Sequence, residues 1–303
     1  MKFGKTADLT GIDFSLPPDS SLNRDVLGGK PAPGGIQIYV GCPMWANKAW
    51  TGILYPPRTP QHAYLRLYAQ SFNTIELNTT HYRIPAPETV ESWRVQAAPG
   101  FHFCPKIPQT ISHYRKLINC REDIETFASV ISLFEEKMGC AFVQLHESFG
   151  LAYLENLISF LNVWPRHIPL AVEFRHTEWF EHHTLRPEVA HLLTEYGCGT
   201  VITDVAGRRD VLHTSLTSPV AMIRFVGNGL HPTDFERADA WIGRLAQWAE
   251  QGVQRVYLLV HQPDDAAAPE MGIYLIRQLN ARLGLNLRIP GLPAAEQGQM
   301  SLF

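Results

Sequence analysis

The chain has 303 residues, 45% hydrophobic and 18% charged, enough to bury a sizeable core without disulfides or a structural metal. Its 26 basic and 29 acidic residues leave a formal net charge of −3, so the overall balance drives it onto neither nucleic acid nor an anionic membrane, and such binding needs a local patch. Cys42, Cys104, Cys120, Cys140 and Cys198 are widely spaced with no C-x-x-C pair, which fits reduced thiols. With no signal-peptide-like run near Met1 and no apolar stretch of membrane-spanning length, the expected location is the cytoplasm.

Residues 1–35 carry Pro17-Pro18, Gly28-Gly29, Pro31, Pro33 and Gly34-Gly35 without a sustained period, and read as an extended N-terminal arm. From Ile36 onward, short apolar runs rich in β-branched and aromatic residues alternate with longer segments of helical period. That alternation argues for parallel strands joined by helices. Strands are expected at Ile36–Gly41, Asn73–Asn78, Phe101–Lys106, Cys140–His146, Leu170–Arg175, Thr200–Asp204, Val220–Gly227 and Arg255–His261.

The intervening helices show one apolar stripe each, such as Ile124, Phe127, Ala128, Ile131, Phe134 and Met138, and later Phe235, Ala238, Trp241, Ile242, Leu245 and Trp248. Gly139, Gly197, Gly252 and Gly284 follow periodic segments where a left-handed residue would end a helix. Thr233-Asp234-Phe235-Glu236, preceded by Pro232, has capping-box spacing. Only the sixth crossover, Val205–Pro219, lacks a convincing helix. Eight such units match the length of a closed (β/α)₈ barrel of the TIM type, and no Gly-rich phosphate loop supports a nucleotide fold. The expected organisation is an arm over 1–35, a single barrel domain over 36–290 and a flexible C-terminal tail over 291–303.

Barrel enzymes carry their chemistry at the carboxyl ends of the strands. Here those ends hold Glu76 and Asn78, Lys106, Gln144 and His146, Glu173, Arg175 and His176, Asp204, Arg224, and His261. Charge in such positions costs desolvation unless it is paired or used. One reading pairs Glu76, Glu173 and Asp204 with Lys106, Arg175 and Arg224 in a structural ring. The sharper one keeps carboxylates as acid and base while the cations hold an anion. Glu76, Glu173, Asp204, His176 and His261 are of metal-ligating type, but no H-E-x-x-H or other tight ligand spacing occurs and three cations among the same ends oppose a metal. No metal is assigned, and a divalent cofactor is left open. His182-His183 and His191 read as helix residues, solvated or packing, and His113 as a loop cap. Trp45, Trp50, Tyr55, Tyr82 and Trp179 fall just beyond strand ends, either to stack on a sugar or base or to cover the mouth.

Read together, these segments resemble the YecE-like proteins, a family built on a domain of unknown function (number 72) with a barrel fold. The resemblance runs through Val40-Gly41-Cys42-Pro43-Met44-Trp45, Glu76-Leu77-Asn78-Thr79-Thr80-His81-Tyr82, Phe101-His102-Phe103-Cys104-Pro105-Lys106, Gln144-Leu145, Glu173-Phe174-Arg175-His176, Asp204, Ile223-Arg224-Phe225-Val226-Gly227 and His261-Gln262-Pro263-Asp264. It departs from the commoner family pattern at His146, where a proline often follows Gln-Leu, and at His261-Gln262, where many members resemble Phe-Asn-Asn. The resemblance implies a barrel and a shared rim built from Glu76, Asn78, Lys106, Gln144, Glu173, Arg175, Asp204 and Arg224. It implies no reaction.

The leading reading is an enzyme, a hydrolase of phosphodiester or related anionic substrates, with Glu173 or Glu76 as general base. Lys106, Arg175 and Arg224 form its anion clamp, Asp204 is an orienting carboxylate, and Asn78, Tyr82, Gln144 and His176 complete the substrate site. The alternatives are a glycoside hydrolase using Glu76 and Glu173 as a carboxylate pair, and a module that binds its ligand without turnover. The last residues, Gln299-Met300-Ser301-Leu302-Phe303, resemble the short peptides that dock on the bacterial DNA sliding clamp, with Leu302 and Phe303 as apolar anchors and Gln299 bonding at the pocket edge. Either that docking or packing on the barrel itself would account for the pair. The expected partners are therefore a small anionic ligand or nucleic acid, and the clamp, with no membrane.

Overall fold

A computed structural model describes residues 4–292. Eight strands form one sheet: β1 (Gln37–Cys42), β2 (Thr74–Leu77), β3 (His102–Pro105), β4 (Ala141–Gln144), β5 (Leu170–Glu173), β6 (Gly199–Asp204), β7 (Val220–Val226) and β8 (Arg255–His261). Their order is β3-β2-β1-β8-β7-β6-β5-β4, every neighbouring pair parallel. The seam between β3 and β4 is closed by single bridges, Phe103 with Met138 and Lys106 with Phe142, and by an Ile107 N–H donated to the Phe142 carbonyl at 2.9 Å. The eight expected strands are thus present, joined by right-length crossovers into a (β/α)₈ barrel.

The crossover helices are α1 (Tyr64–Ser71), α2 (Pro87–Gln96), α3 (Arg121–Ile131), α4 (Leu154–Val163), α5 (Pro187–Glu195), α6 (Pro232–Gln251) and α7 (Ala268–Leu283). Between β6 and β7 stands only a 3₁₀ turn, Ala206–Val211, which agrees with the weak periodicity of that segment. The α6 stripe is buried as its 3.6-residue spacing demands: Ala238, Trp241, Ile242, Leu245 and Trp248 face the sheet. A second, smaller core fills the barrel itself, around Cys104, Phe142, Met222, Tyr257 and Leu259.

Several local expectations are corrected. The stripe running from Ile124 to Met138 is not one helix: α3 stops at Ile131 and a 3₁₀ segment follows, broken where Glu135 takes φ 50°. Gly197, Gly252 and Gly284 do take positive φ at helix ends, but Gly139 does not. Its missing side chain serves the seam, since a Cβ there would lie 2.8 Å from the Phe103 carbonyl oxygen. The α6 start is capped by His231, whose ring accepts the Thr233 N–H, while the Asp234 carboxylate reaches back to Asn228 N–H at 2.7 Å, so the expected capping box is not formed. His182 and His183 are not helical. They make the left-handed turn of a small antiparallel hairpin, Phe180–Glu181 with Thr184–Leu185.

The N-terminal segment is extended apart from one short helix, Asn23–Leu27, and it is anchored along its length. Asn23 is buried between the Thr214 carbonyl and the Leu216 N–H, and Asp19 accepts the indole N–H of Trp248 at 2.8 Å. Its leading end crosses the barrel mouth: the Gly4 carbonyl accepts from Gly207 N–H at 2.8 Å, and Lys5 Nζ donates to the Pro263 carbonyl at 2.8 Å.

Candidate functional site

Alternation along each strand decides which strand-end groups meet inside the barrel. Glu76 on β2 and Arg224 on β7 point inward and form a two-point pair, Arg224 Nη2 to Glu76 Oε1 at 2.9 Å and Nε to Oε2 at 3.0 Å. The third guanidinium nitrogen, Nη1, donates to Glu173 Oε2 on β5 at 3.0 Å. Glu173 also accepts from Arg175 Nε at 2.8 Å and from Gln144 Nε2 at 2.8 Å. Gln144 turns its carbonyl to Lys106 Nζ at 2.9 Å, and His261 Nε2 bonds Glu76 Oε2 at 2.8 Å. Strands β2, β3, β4, β5, β7 and β8 therefore contribute to one hydrogen-bonded network across the barrel mouth.

Electrostatics follow from that geometry. Burial would raise both acids, but Arg224 and then His261 hold Glu76 well below the usual carboxylate range. Arg175, Arg224 and Lys106 likewise overcome burial to hold Glu173 at about 2. Burial weakens Arg224 as an acid-stable cation, yet the two carboxylates outweigh it and push its pKa up. Lys106 behaves in the opposite way. It is 1% exposed, no carboxylate among the described residues comes within salt-bridge distance of its amine, and burial plus repulsion from Arg224 and Arg175 outweigh Glu76 and Glu173, lowering its pKa to about 7.

Above the network lies a cleft of about 280 Å³ lined by Asn78, Tyr82, Arg175, Thr203, Arg224 and His261, with Lys5, Met44 and Asp265 at its edges. Tyr82 is 68% exposed, whereas Trp50, Tyr55 and Trp179 are fully buried as cover beneath the mouth, and Trp45 rests edge-on against Trp93. Beside Lys106 stand two buried or half-buried histidines that the strand-end survey passed over. His81 donates Nδ1–H to the Ile107 carbonyl, and His113 bonds Ser112 Oγ, whose own hydrogen goes to the Pro108 carbonyl. Each ring thus carries a hydrogen on Nδ1. Burial and then Lys106 lower His81 to about 4; burial, His81 and Lys106 lower His113 to about 3. Their signal was the short helix Thr79–Tyr82 after β2 and the turn after β3, neither of which ends a strand.

Two expected members stand elsewhere. Asp204 is the last residue of β6, but Thr203 takes the inward position and Asp204 faces outward under α6. There it accepts from Trp241 Nε1 at 2.7 Å and Arg237 Nη1 at 3.0 Å and pairs with Arg209, so it orients none of the cations of the cleft. His176 caps the 3₁₀ turn Thr177–Trp179, its ring accepting the Glu178 N–H, and does not line the cleft. His146 is exposed and bonds Ser148. Among the described residues no three His, Cys, Asp or Glu side chains are grouped so as to hold a metal ion, and no helix is long and apolar enough to cross a membrane. The docking residues Gln299, Leu302 and Phe303 lie outside the described residues.

Fold and site together define a (β/α)₈-barrel protein with a buried charge network beneath a cleft at the carboxyl ends of its strands. The chain belongs to the DUF72 family, described as a protein of unknown function, whose profile matches residues 39–296. It is 32% identical over 284 residues to the UPF0759 protein YecE of Escherichia coli (strain K12), covering 88% of this chain and 100% of that one. It is also 29% identical over 158 residues to the UPF0759 protein YunF of Bacillus subtilis (strain 168), covering 47% and 52% of the two chains. A crystal structure of a DUF72 family protein from Enterococcus faecalis V583 superposes with a TM-score of 0.63 at 18% identity over 83% of this chain and 99% of that one, which shows the shared fold.

Proposed function

We propose that the cleft binds a small substrate through an anionic group, phosphate or carboxylate, seated on Arg175 and Arg224, and that the protein is an enzyme acting on that substrate. The observation that carries this reading is the shared use of Glu173: one carboxylate, itself ionised, holds both guanidinium groups at the cleft floor, with Arg224 gripped from the other side by Glu76. Among the described residues the second hydrogen on Arg224 Nη1 has no acceptor. Guanidinium groups set in place before binding lose little freedom on meeting an oxyanion. Lys5 adds positive charge at the edge and the exposed Tyr82 ring offers a flat apolar wall. A cleft of about 280 Å³ fits a metabolite or a nucleotide-sized fragment better than a duplex.

The same geometry reassigns the two acids. Both oxygens of Glu76 and of Glu173 already accept bonds from cations or amides, and both groups are ionised far below neutrality, so neither is suited to general-base work. A glycosidase pair needs one protonated acid, which these two carboxylates do not supply. They are positioning residues for the arginines. Titration of the purified protein with inorganic phosphate and then with phosphate monoesters and dicarboxylates, followed by calorimetry, tests the reading. Saturable phosphate binding that weakens at least tenfold in Arg175→Met is expected. Equal affinity in the two proteins would remove the clamp.

A further inference from the structure

Of the two buried lysines among the described residues, Lys137 has an evident structural task, donating to the Arg94 and Ala97 carbonyls at 2.7 and 2.8 Å and so closing the end of α2. Lys106 has none of comparable kind. Its backbone is tied into the β3–β4 seam and to Thr80, yet its amine has a single partner among the described residues, the amide oxygen of Gln144. Taking an ammonium out of water without a carboxylate contact is costly, and the surroundings do not relieve it. The facing charged and titratable groups are Glu76 from β2, Glu173 and Arg175 from the end of β5, Arg224 from β7, His81 from the turn after β2 and His113 from the turn after β3. The two acids and two arginines satisfy one another, leaving a cationic Lys106 as the unmatched charge.

Resting on the anionic-substrate reading above, we propose that Lys106 is the catalytic nucleophile of this site, forming an imine with an aldehyde or ketone that carries the phosphate or carboxylate held by Arg175 and Arg224. Three features converge on it: an amine at the carboxyl end of a barrel strand, a place in the network that joins it through Gln144 and Glu173 to both cleft-lining arginines, and a single neutral hydrogen bond that the flexible side chain would break to reach the cleft, which it does not itself line. A pKa of about 7 keeps roughly half of the amine unprotonated at neutral pH. In the step, the nitrogen lone pair of the neutral amine adds to the carbonyl carbon while the π pair moves to oxygen and takes a proton. Nitrogen then gives up one of its two hydrogens as a proton, a second proton reaches the hydroxyl, and the carbinolamine expels that oxygen as water as the nitrogen lone pair forms the C=N bond, leaving an iminium with one hydrogen on nitrogen. Amine, carbonyl and one proton become iminium and water, with no oxidant or reductant. The iminium is an electron sink for breaking a bond to the adjacent carbon, which places the substrate among phosphorylated or carboxylated aldehydes and ketones.

The test is reductive trapping on the intact protein. Glycolaldehyde phosphate is added with sodium borohydride, which delivers hydride to the iminium carbon, and the modified peptides are mapped by mass spectrometry, with glycolaldehyde and excess inorganic phosphate as companion arms. The expected result is labelling of Lys106 at least tenfold above Lys5, Lys48 and Lys116, rising from pH 6 and levelling above pH 8, and reduced at least fivefold by inorganic phosphate. Label confined to the exposed lysines would overturn the proposal even if phosphate binds, leaving the clamp reading standing. Label at Lys106 that phosphate does not reduce would uphold the amine and sink the clamp. Because the site is read directly in the native protein, the conclusion does not depend on the folding of Lys106→Met, which serves only as the blank.

Discussion

Two buried charge clusters lie at the carboxyl end of this barrel, one set on β6 and α6 and the other across the mouth on strands other than β6, and they are built from the same kinds of side chain. The outer one, between β6 and α6, joins Asp204 and Asp234 to Arg237 and Arg209, with Trp241 and Asn228 supplying further donors. Arg237 also lies against the Phe225 and Phe14 rings. Acids and bases match, the N-terminal segment lies over the cluster, and Asp204 and Asp234 are fully buried. The inner one, across the mouth, has two acids against Arg175, Arg224 and Lys106, and its arginines floor an open cleft. In this barrel a strand-end charge joins the network under the cleft when the pleat turns it inward, and that network leaves one amine, Lys106, without a carboxylate contact. Asp204 misses the inward position by one residue.

Four substitutions separate the roles of the two clusters. The largest expected effect is Asp204→Ala, which removes one of the two carboxylates that hold Arg237 in a sealed interior and leaves the Trp241 indole N–H without its acceptor; it should cost about 3–5 kcal/mol in urea unfolding, while inorganic phosphate binding by the folded protein is unchanged. A loss of phosphate affinity with little loss of stability would put Asp204 in the site after all. Next comes Arg224→Met, which leaves Glu76 with His261 and Glu173 with Arg175. It should cost about 2–3 kcal/mol by the same measurement and, unlike the outer substitution, abolish phosphate binding.

Lys106→Met should have the opposite sign, stabilising the protein by about 1–2 kcal/mol at pH 7 through removal of an unmatched buried amine. Because the folded-state pKa is lowered to about 7 from 10.5, the unfolded chain binds more protons between those values. The penalty of Lys106 is therefore full below pH 7 and fades as pH rises toward 10.5. The gain in melting temperature should be greatest at pH 6 to 7 and vanish near pH 10; a destabilised variant at pH 7 would make Lys106 structural. The smallest effect is Tyr82→Ala, expected within about 0.5 kcal/mol of the parent in stability because the ring is exposed. It should weaken binding of aromatic phosphates severalfold and leave inorganic phosphate alone, and equal losses for both would deny the ring a stacking role.

Much of this was legible in the residues. Eight apolar runs of strand length, all but the sixth followed by a stripe of helical period, admit few arrangements other than a closed parallel barrel. Glu76, Lys106, Gln144, Glu173, Arg175 and Arg224 stood out because ionisable and amide groups at the ends of such runs are costly without partners. Lys5 was not legible, since an irregular arm carries no period to say that it returns to the mouth. His81 and His113 were hidden for a related reason: they sit one short turn beyond the strands, where the chain's direction is set by Thr80, Pro108 and the seam rather than by any repeat.

The class of fold, the eight strands, the helix-poor sixth crossover and the set of polar groups brought to one end follow from local periodicity and from the shortness of connections, both of which are written along the chain. Tertiary structure alone decided which of those groups meet. One residue of register sends Thr203 into the cleft and Asp204 beneath α6. The pairing of Glu76 and Glu173 through Arg224 spans strands distant in sequence, and the isolation of Lys106 is a property of everything around it. Proton affinity in a buried network is set by three-dimensional distance and by excluded water, and neither quantity is written along the chain.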